Sequence, residues 1–302
     1  MRPLLLLTAF LALTVFTRPL AAARLLQPGV DLIADSGPLF DRPHDIVLSP
    51  DGKYLLVADT GHDEVQILDP AALKVIGTLG RGELAAPRDA AFLDEHTVLV
   101  ADTGHDRIAV YDFRGVQDGK TAARLTASWS DHMQAPDGIA VAPDGDAIYV
   151  ANGDSDAVVR LTPSGILENG IGGLHPRDMV NFSEPHAVIV DKTGRVIVAD
   201  TGDDRLVVLN PELIFLGVYK GAPFDFDDPM YMAADAEGGL WLADSDNDRI
   251  LHLNAFMTVD RIIGADVGPK ELDGPEGVAV SGDRIWISDT GNDRVILLRH
   301  RP

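Results

Sequence analysis

Hydrophobic and polar positions recur along this chain in one long pattern that is repeated six times. A proline opens a short apolar run, and 14 to 16 residues later a second apolar run ends at an acidic or amide residue. The six pairs are Pro43 and Asp59, Pro87 and Asp102, Pro136 and Asn152, Pro185 and Asp200, Pro229 and Asp244, and Pro275 and Asp289. The second anchors lie 43 to 50 residues apart, which is typical of a repeat architecture.

Within the first copy, the apolar runs are too short for helices and are separated by turn residues. Residues 46–48, 54–58, 65–68 and 74–79 predict four strands, and Pro-Asp-Gly at 50–52 predicts the first turn. Four antiparallel strands per unit at this period are typical of the blades of a β-propeller. The other copies repeat the pattern, although the fourth strand of the third copy is only weakly indicated.

The two ends of the chain predict how the ring closes. The sixth copy ends at Leu298 with three strands, and an apolar run at 30–34 precedes the first copy. We expect the N-terminal strand to complete the last blade, which removes a free edge between first and last blades. The predicted fold is therefore all-β: a six-bladed β-propeller of four-stranded antiparallel blades, forming a single domain over residues 24–302.

The first 23 residues have the features of a secretory signal peptide. Arg2 precedes an apolar stretch at 4–16, and Leu-Ala-Ala-Ala at 20–23 supplies a small-residue cleavage site. An uncleaved membrane anchor is the alternative, although the apolar stretch is short for a membrane-spanning helix. We therefore expect a periplasmic or secreted protein with no membrane insertion once residues 1–23 are removed.

The charge of the chain restricts its partners. The sequence has 47 Asp and Glu against 25 Lys and Arg, for a formal net charge of −22. Such a charge repels nucleic acid and anionic lipid, and it favours cations or basic partners. The chain has no Cys, which excludes thiolate catalysis and thiolate metal ligands. We expect a monomer that binds no nucleic acid.

A short acidic turn follows each second anchor, and its repetition indicates a role in the framework. The residue four positions after the anchor is Asp in every copy: Asp63, Asp106, Asp156, Asp204, Asp248 and Asp293. Arg follows in four copies, at Arg107, Arg205, Arg249 and Arg294. We expect each Asp to accept local backbone N–H groups in a hairpin turn. Each Arg should pair with an anchor Asp.

The repeated turns resemble a known family. Segments such as Ala-Asp-Thr-Gly-Asp-Asp-Arg at 199–205 and Ser-Asp-Thr-Gly-Asn-Asp-Arg at 288–294, each preceded by a proline-led apolar run, resemble the NHL repeat. The resemblance spans residues 30 to 298 and implies a propeller. It also implies several functions, because such propellers include ligand-binding scaffolds, protein-interaction modules, and lyases and lactonases.

Positions at which the copies differ are the better candidates for function, because a single site does not need six equal copies. In an antiparallel blade, the prolines and the acidic turns lie on one face of the disc, and the innermost strand borders the central channel. We therefore predict a ligand-binding face at the channel mouth. It consists of the residues that follow the prolines, with one neighbour: His44, Arg88, Asp137, His186, Met230, Tyr231 and Glu276.

Two functions remain open at this stage. The first is a non-enzymatic scaffold that binds a protein, peptide or small ligand through the channel-mouth face. The second is a metal-dependent lyase or hydrolase, with a divalent cation such as zinc or calcium held between His44 and His186 with Asp45. Arg88, Asp137 and Glu276 are the candidate catalytic residues, and the resemblance to peptidyl-hydroxyglycine lyases implies a zinc bound through His after Pro.

Overall fold

The computed structural model describes residues 30–173, 180–264 and 272–300, and their strands form six small sheets. Each sheet has four antiparallel strands, and together the sheets form the six blades of a propeller. The predicted fold class is confirmed. The predicted signal peptide at 1–23 lies outside the described residues. Among those residues, the structure contains no helix that is long and apolar enough to cross a membrane.

The strands are numbered in chain order. The first two blades and the strand before them are β1 (Val30–Asp35), β2 (Pro43–Leu48), β3 (Leu55–Asp59), β4 (Glu64–Leu68), β5 (Val75–Leu79), β6 (Pro87–Phe92), β7 (Thr97–Asp102), β8 (Arg107–Gln117) and β9 (Lys120–Trp129). Blades 3 and 4 are β10 (Pro136–Val141), β11 (Ile148–Asn152), β12 (Ala157–Leu161), β13 (Leu167–Gly172), β14 (Pro185–Val190), β15 (Val196–Asp200), β16 (Arg205–Leu209) and β17 (Phe215–Lys220). Blades 5 and 6 are β18 (Pro229–Ala234), β19 (Leu240–Asp244), β20 (Arg249–Leu253), β21 (Val259–Ile263), β22 (Pro275–Ser281), β23 (Arg284–Asp289) and β24 (Arg294–His300).

The N-terminal strand closes the ring as the sequence predicts. Strand β1 pairs antiparallel with β24, so the last blade has the order β1-β24-β23-β22. The chain therefore enters and leaves the propeller in the same blade. Trp286 adds a side-chain contact across the closure, because its Nε1 donates to the carbonyl of Pro70 in blade 1 over 2.8 Å. Closure by main-chain hydrogen bonds leaves no strand edge exposed between the first and last blades.

The core lies between neighbouring blades rather than at the centre of the disc. The second strand of each blade is almost wholly buried, because blades pack against both of its faces. This explains why those strands are continuous apolar runs rather than alternating ones. Trp241 and Trp286, each 2% exposed, are the largest fully buried side chains in these layers. The six layers hold the innermost strands at fixed positions around the channel.

Each acidic turn is a one-turn 3₁₀ helix between the second and third strands of a blade, and its side chains contact the following blade. Thr60, at the start of the first turn, donates its hydroxyl to the carbonyl of Pro87 over 2.6 Å. Asp63, at the end of the same turn, accepts from the backbone N–H of Ala86 over 2.8 Å. Equivalent acidic contacts across the blade boundary recur around the ring, at Asp106 with Ala135, Asp156 with Glu184, Asp204 with Asp228, Asp248 with Gly274 and Asp293 with Arg42.

These contacts correct one expectation and confirm another. The prediction that these Asp side chains accept local backbone N–H groups is wrong in the choice of partner, because the backbone N–H groups that they accept precede the following blade. The expected Arg pairs are correct. Arg107, for example, donates from Nε to Asp102 in its own blade over 2.6 Å. The same anchor Asp accepts a backbone N–H from the loop that precedes its blade. The repeated turn thus works as an interblade connector, on the same face as the prolines.

Candidate ligand site at the mouth of the central channel

A backbone irregularity next to each proline shapes the channel mouth. In all six innermost strands the pairing register shifts directly after the proline. A bulge of this kind places two residues where regular pairing would place one, and it redirects side chains. Each blade therefore presents two successive residues near the channel. We call the residues that follow the prolines the mouth ring and the next residues the inner ring.

His44 in blade 1 and Glu276 in blade 6 form a close pair across the boundary between these two blades. Nδ1 of His44 lies 2.6 Å from Oε2 of Glu276, and the two side chains are 12% and 16% exposed. Since a carboxylate can only accept, Nδ1 carries a proton in this bond. A neutral His44 then has its lone pair on Nε2. The pair has the form of a base oriented by a carboxylate, which is a recurring device of acid–base catalysis.

A second group joins Arg88, Asp137 and His186 from three successive blades. Nη1 of Arg88 donates to Oδ1 of Asp137 over 2.8 Å, and Nε2 of His186 lies 3.8 Å from Oδ2 of the same carboxylate. Asp137 is 1% exposed. Burial raises its pKa to about 6, although the Arg88 guanidinium opposes the rise. At neutral pH the group therefore contains a buried carboxylate paired with a half-buried guanidinium.

His186 is a neutral imidazole at neutral pH. Burial, followed by the nearby Arg88 charge, lowers its pKa to about 4. Nδ1 lies 3.0 Å from the carbonyl oxygen of Glu184, which can only accept, so Nδ1 carries the proton. Nε2 is left as an acceptor on the side of Asp137. His186 is thus suited to receive a hydrogen bond from a ligand, and its low pKa makes it a weak base.

Two glycines explain why the acidic and histidine positions meet. A Cβ on Gly138 would lie 2.6 Å from the carbonyl oxygen of His186, and one on Gly277 would lie 2.5 Å from that of His44. These contacts are closer than any side chain tolerates, so only Gly permits the two neighbouring strands to approach. Asp137 and Glu276 directly precede these glycines. The blade 3–4 and blade 6–1 boundaries are therefore built alike and give the mouth an approximate twofold arrangement.

The inner ring contains a buried carboxyl pair, and only one of its two members was predicted from the sequence. Asp45 and Asp89 are hydrogen-bonded to each other, and Asp89 also accepts the backbone N–H of Ile139 over 2.5 Å. Burial raises the pKa of Asp45 well above its usual range and that of Asp89 to about 6. The predicted set included Asp45 but not Asp89. Its position two residues after Pro87, equivalent to that of Asp45 after Pro43, was the available signal.

The two remaining predicted residues are buried. Met230 is 5% exposed and packs in the apolar layer beside blade 5, so it offers little surface to a ligand. Tyr231 is 2% exposed, and its hydroxyl has no hydrogen-bond partner among the described residues. Tyr231 lines a channel cavity of about 380 Å³ together with Asp45 and Asp89. The inner ring therefore opens to the channel below the mouth.

The residues at the mouth do not fit the zinc site that the family resemblance implies. Among the described residues, no group of three or more His, Cys, Asp and Glu side chains has an arrangement that could hold a metal ion. His44, His186 and Asp45, the predicted ligands, therefore form no such group. Nδ1 of each His is hydrogen-bonded, to Glu276 and to the Glu184 carbonyl, which leaves Nε2 as the ring nitrogen that could bind a metal. Metal binding at the mouth stays a prediction without a donor set to support it.

Comparison with known proteins gives the class of fold. No family model and no curated protein matches the chain. Virginiamycin B lyase from Staphylococcus aureus is a solved structure that matches with a TM-score of 0.59 and 15% sequence identity, over 85% of this chain and 80% of that one. A Streptogramin B lyase structure matches with a TM-score of 0.58 and 13% identity, over 90% of this chain and 97% of that one.

A third solved structure is similar in fold but has no assigned function. It is a structural genomics protein from Bacteroides thetaiotaomicron, with a TM-score of 0.67 and 12% identity, over 90% of this chain and 76% of that one. Identities this low carry the fold alone. The chain is a six-bladed β-propeller, and the fold that the NHL resemblance implies is confirmed.

Proposed function

We propose that the channel mouth is a binding site for a small ligand or for the end of a peptide. The observation that carries the proposal is the set of buried polar atoms left without partners around the channel. Asp45 Oδ1, Arg88 Nε and Tyr231 Oη are all buried and have no hydrogen-bond partner among the described residues. Each such atom costs about 1–3 kcal/mol if it stays unpaired. A ligand that supplies partners recovers that cost on binding.

Asymmetry at equivalent positions supports the same proposal. The propeller ring needs no particular side chain after the prolines, because its blades are joined by buried apolar layers and by the repeated turns. These positions nevertheless hold two imidazoles, two carboxylates and a guanidinium, at His44, His186, Asp137, Glu276 and Arg88. A few polar groups converging on a concave surface are typical of small-molecule sites. The ligand is expected to present hydrogen-bond donors as well as acceptors.

A thermal-shift screen with a matched pair of His variants tests this function. The purified protein without residues 1–23 is screened against small metabolites and short peptides, and each ligand that raises Tm is repeated on His44→Gln and on His96→Gln. His96 is exposed and borders a separate groove on the opposite face. We expect the shift to be lost in His44→Gln and kept in His96→Gln. Equal shifts in both variants would place the binding elsewhere.

The second candidate is a lyase or hydrolase that uses His44 as general base. It is favoured by the 2.6 Å contact between His44 and Glu276, which orients the imidazole so that its neutral form has the lone pair on Nε2. Glu276 would hold the imidazole and stabilise its cation after proton abstraction. Arg88 is already paired with Asp137, so stabilising developing negative charge would need a change in that pair. This candidate involves no metal step.

The propeller lyases of similar fold suggest a direct probe. A catalytically inactive variant of virginiamycin B lyase has been solved with quinupristin, and it matches this chain at 15% identity with a TM-score of 0.58 over 86% of this chain and 80% of that one. Quinupristin is incubated with the wild type and with Glu276→Gln and followed by mass spectrometry. Elimination by a lyase leaves the total mass of the products equal to that of quinupristin, whereas hydrolysis adds the mass of one water molecule. No product with either protein removes quinupristin as a substrate.

A further inference from the structure

The carboxyl pair of the inner ring lies in the channel wall, below the groups of the proposed mouth site. Asp45, Asp89 and Tyr231 border one cavity of about 380 Å³, whose other lining residues are mostly apolar. The two carboxyls share a hydrogen bond, so one of them holds a proton and the pair carries about one negative charge at neutral pH. A single buried charge facing an apolar wall attracts a cation far more strongly than it would in water.

Two oxygen atoms beside this charge have no partner. Oδ1 of Asp45 is buried and unbonded, and the hydroxyl of Tyr231 is buried and unbonded as well. Charge on Asp45 and Asp89 acts on the Tyr231 hydroxyl, so the three groups belong to one electrostatic neighbourhood. The Tyr231 hydroxyl is independent of the acidic pair and sits on another blade. It indicates that a polar group of a ligand completes this region.

The donor set decides which cation fits. Calcium takes six to eight oxygen ligands and magnesium takes about six, usually with more than one carboxylate. The described residues provide no group of that kind. A primary ammonium has three N–H donors and needs only a few acceptors, and an attached alkyl chain matches apolar walls such as those formed by Ile46 and Val188.

We propose that Asp45, Asp89 and Tyr231 bind the primary ammonium group of an alkylamine ligand. Oδ1 of Asp45 and the Tyr231 oxygen accept N–H bonds, and the carboxyl pair supplies the negative charge. The ammonium lies at the inner ring, and the alkyl chain extends into the apolar cavity on the side away from the mouth ring. This inference rests on the proposed function, because the ligand reaches the channel through the mouth. It names the substrate class of that site.

Isothermal titration calorimetry with n-butylammonium chloride tests the proposal. The comparison ligands are butan-1-ol, tetramethylammonium chloride and calcium chloride, with the salts at equal ionic strength. We expect saturable binding of n-butylammonium and none of the alcohol. Tetramethylammonium, which has the charge but no N–H donor, should bind at least tenfold more weakly. Equal binding of tetramethylammonium, or binding of calcium in place of the amine, would overturn the proposal.

Three variants locate the binding. Asp45→Asn should weaken n-butylammonium at least tenfold and Tyr231→Phe severalfold. Asp51→Asn, a carboxylate in an exposed turn on the opposite face, should change nothing. Unchanged affinity in Asp45→Asn contradicts the assignment. If a variant does not fold, the order of the four ligands' affinities for the wild type still tests the proposal.

The outcome separates this inference from the proposed function. If His44→Gln loses the Tm shifts of the screened ligands and the wild type shows no preference for the amine, the ammonium site is rejected and the mouth site is kept. If amine binding depends on Asp45 but the ligands found in the thermal-shift screen raise the Tm of His44→Gln as they do that of the wild type, the ammonium site stands and the mouth assignment is rejected.

Discussion

Asp137 should make the propeller less stable as pH rises, and Asp137→Asn should remove that loss. Burial raises the pKa of this carboxyl from 3.8 to about 6 in the folded state. The folded protein therefore holds the proton more tightly than the unfolded chain does. The contribution is fully present at pH values below the unfolded pKa, and it is lost as pH rises through about 6. An asparagine side chain cannot ionise, so the variant lacks this dependence.

The magnitude follows from the two pKa values. A rise from 3.8 to about 6 corresponds to about 3 kcal/mol in total at 1.36 kcal/mol for each pKa unit. About 2 kcal/mol of this should appear between about pH 4.5 and about pH 7.5. In Asp137→Asn, the amide oxygen can still accept a hydrogen bond from Arg88. Loss of the negative charge changes the free energy of this contact by an amount that does not depend on pH in this range. It therefore shifts the difference curve without changing its slope. The free energy of unfolding of the variant minus that of the wild type should therefore rise by about 2 kcal/mol across the range.

Urea unfolding of both proteins at four pH values measures this difference. Asp89 and Asp228 also have pKa values raised to about 6, but they are common to both proteins and cancel. Asp51→Asn is the control, because hydrogen bonds from Lys53 and Ser49 lower the pKa of Asp51 to about 2. Its difference curve should be flat in the same range. A flat curve for Asp137→Asn would refute the assignment of Asp137 as a buried carboxylate whose ionisation is costly.

Three further predictions concern the ring. Gly277→Ala should lower the free energy of unfolding by about 1–3 kcal/mol through overpacking against the His44 backbone, whereas Gly217→Ala, which meets open space, should not overpack; chemical denaturation separates the two. Thr290→Val removes the 2.7 Å bond to the Pro43 carbonyl and should cost about 1–3 kcal/mol, read from the shift of the urea midpoint. Removal of residues 1–35 deletes β1 and exposes the β24 edge, so size-exclusion chromatography should show association that the protein lacking only residues 1–23 does not.

The fold could be predicted because its main determinants are local and repeated. Short apolar runs between proline and glycine turns specify strands, and the fixed spacing specifies equal blades. The weakest prediction was the fourth strand of blade 3. Strand β13 (Leu167–Gly172) contains Glu168, Asn169 and Gly170, and its first four residues are exposed. It still forms because an outermost strand needs main-chain pairing with β12 on one side only.

The site could be predicted in position but not in its contacts. Equivalence between copies placed His44 and His186 at the mouth and suggested that they face each other across it. Each His also contacts an acidic residue of the preceding blade, and the contacts occur where Gly277 and Gly138 let the strands approach. Those approaches depend on the distance between strands of different blades, which no spacing within one copy encodes.

Buried carboxyls at the channel are the strongest argument that it has a function beyond scaffolding. The ring does not require them, since the positions equivalent to Asp45 and Asp89 hold Gly138, Ala187 and Gly277 in other blades. Burial disfavours the charged forms of Asp45, Asp89 and Asp137, so these carboxyls lower the stability of the empty propeller at neutral pH. Replacement by small residues would leave the repeated turns, the interblade layers and the closing strand unchanged. A stabilising substitution at Asp137 that abolishes ligand binding would demonstrate that stability and function compete at this mouth.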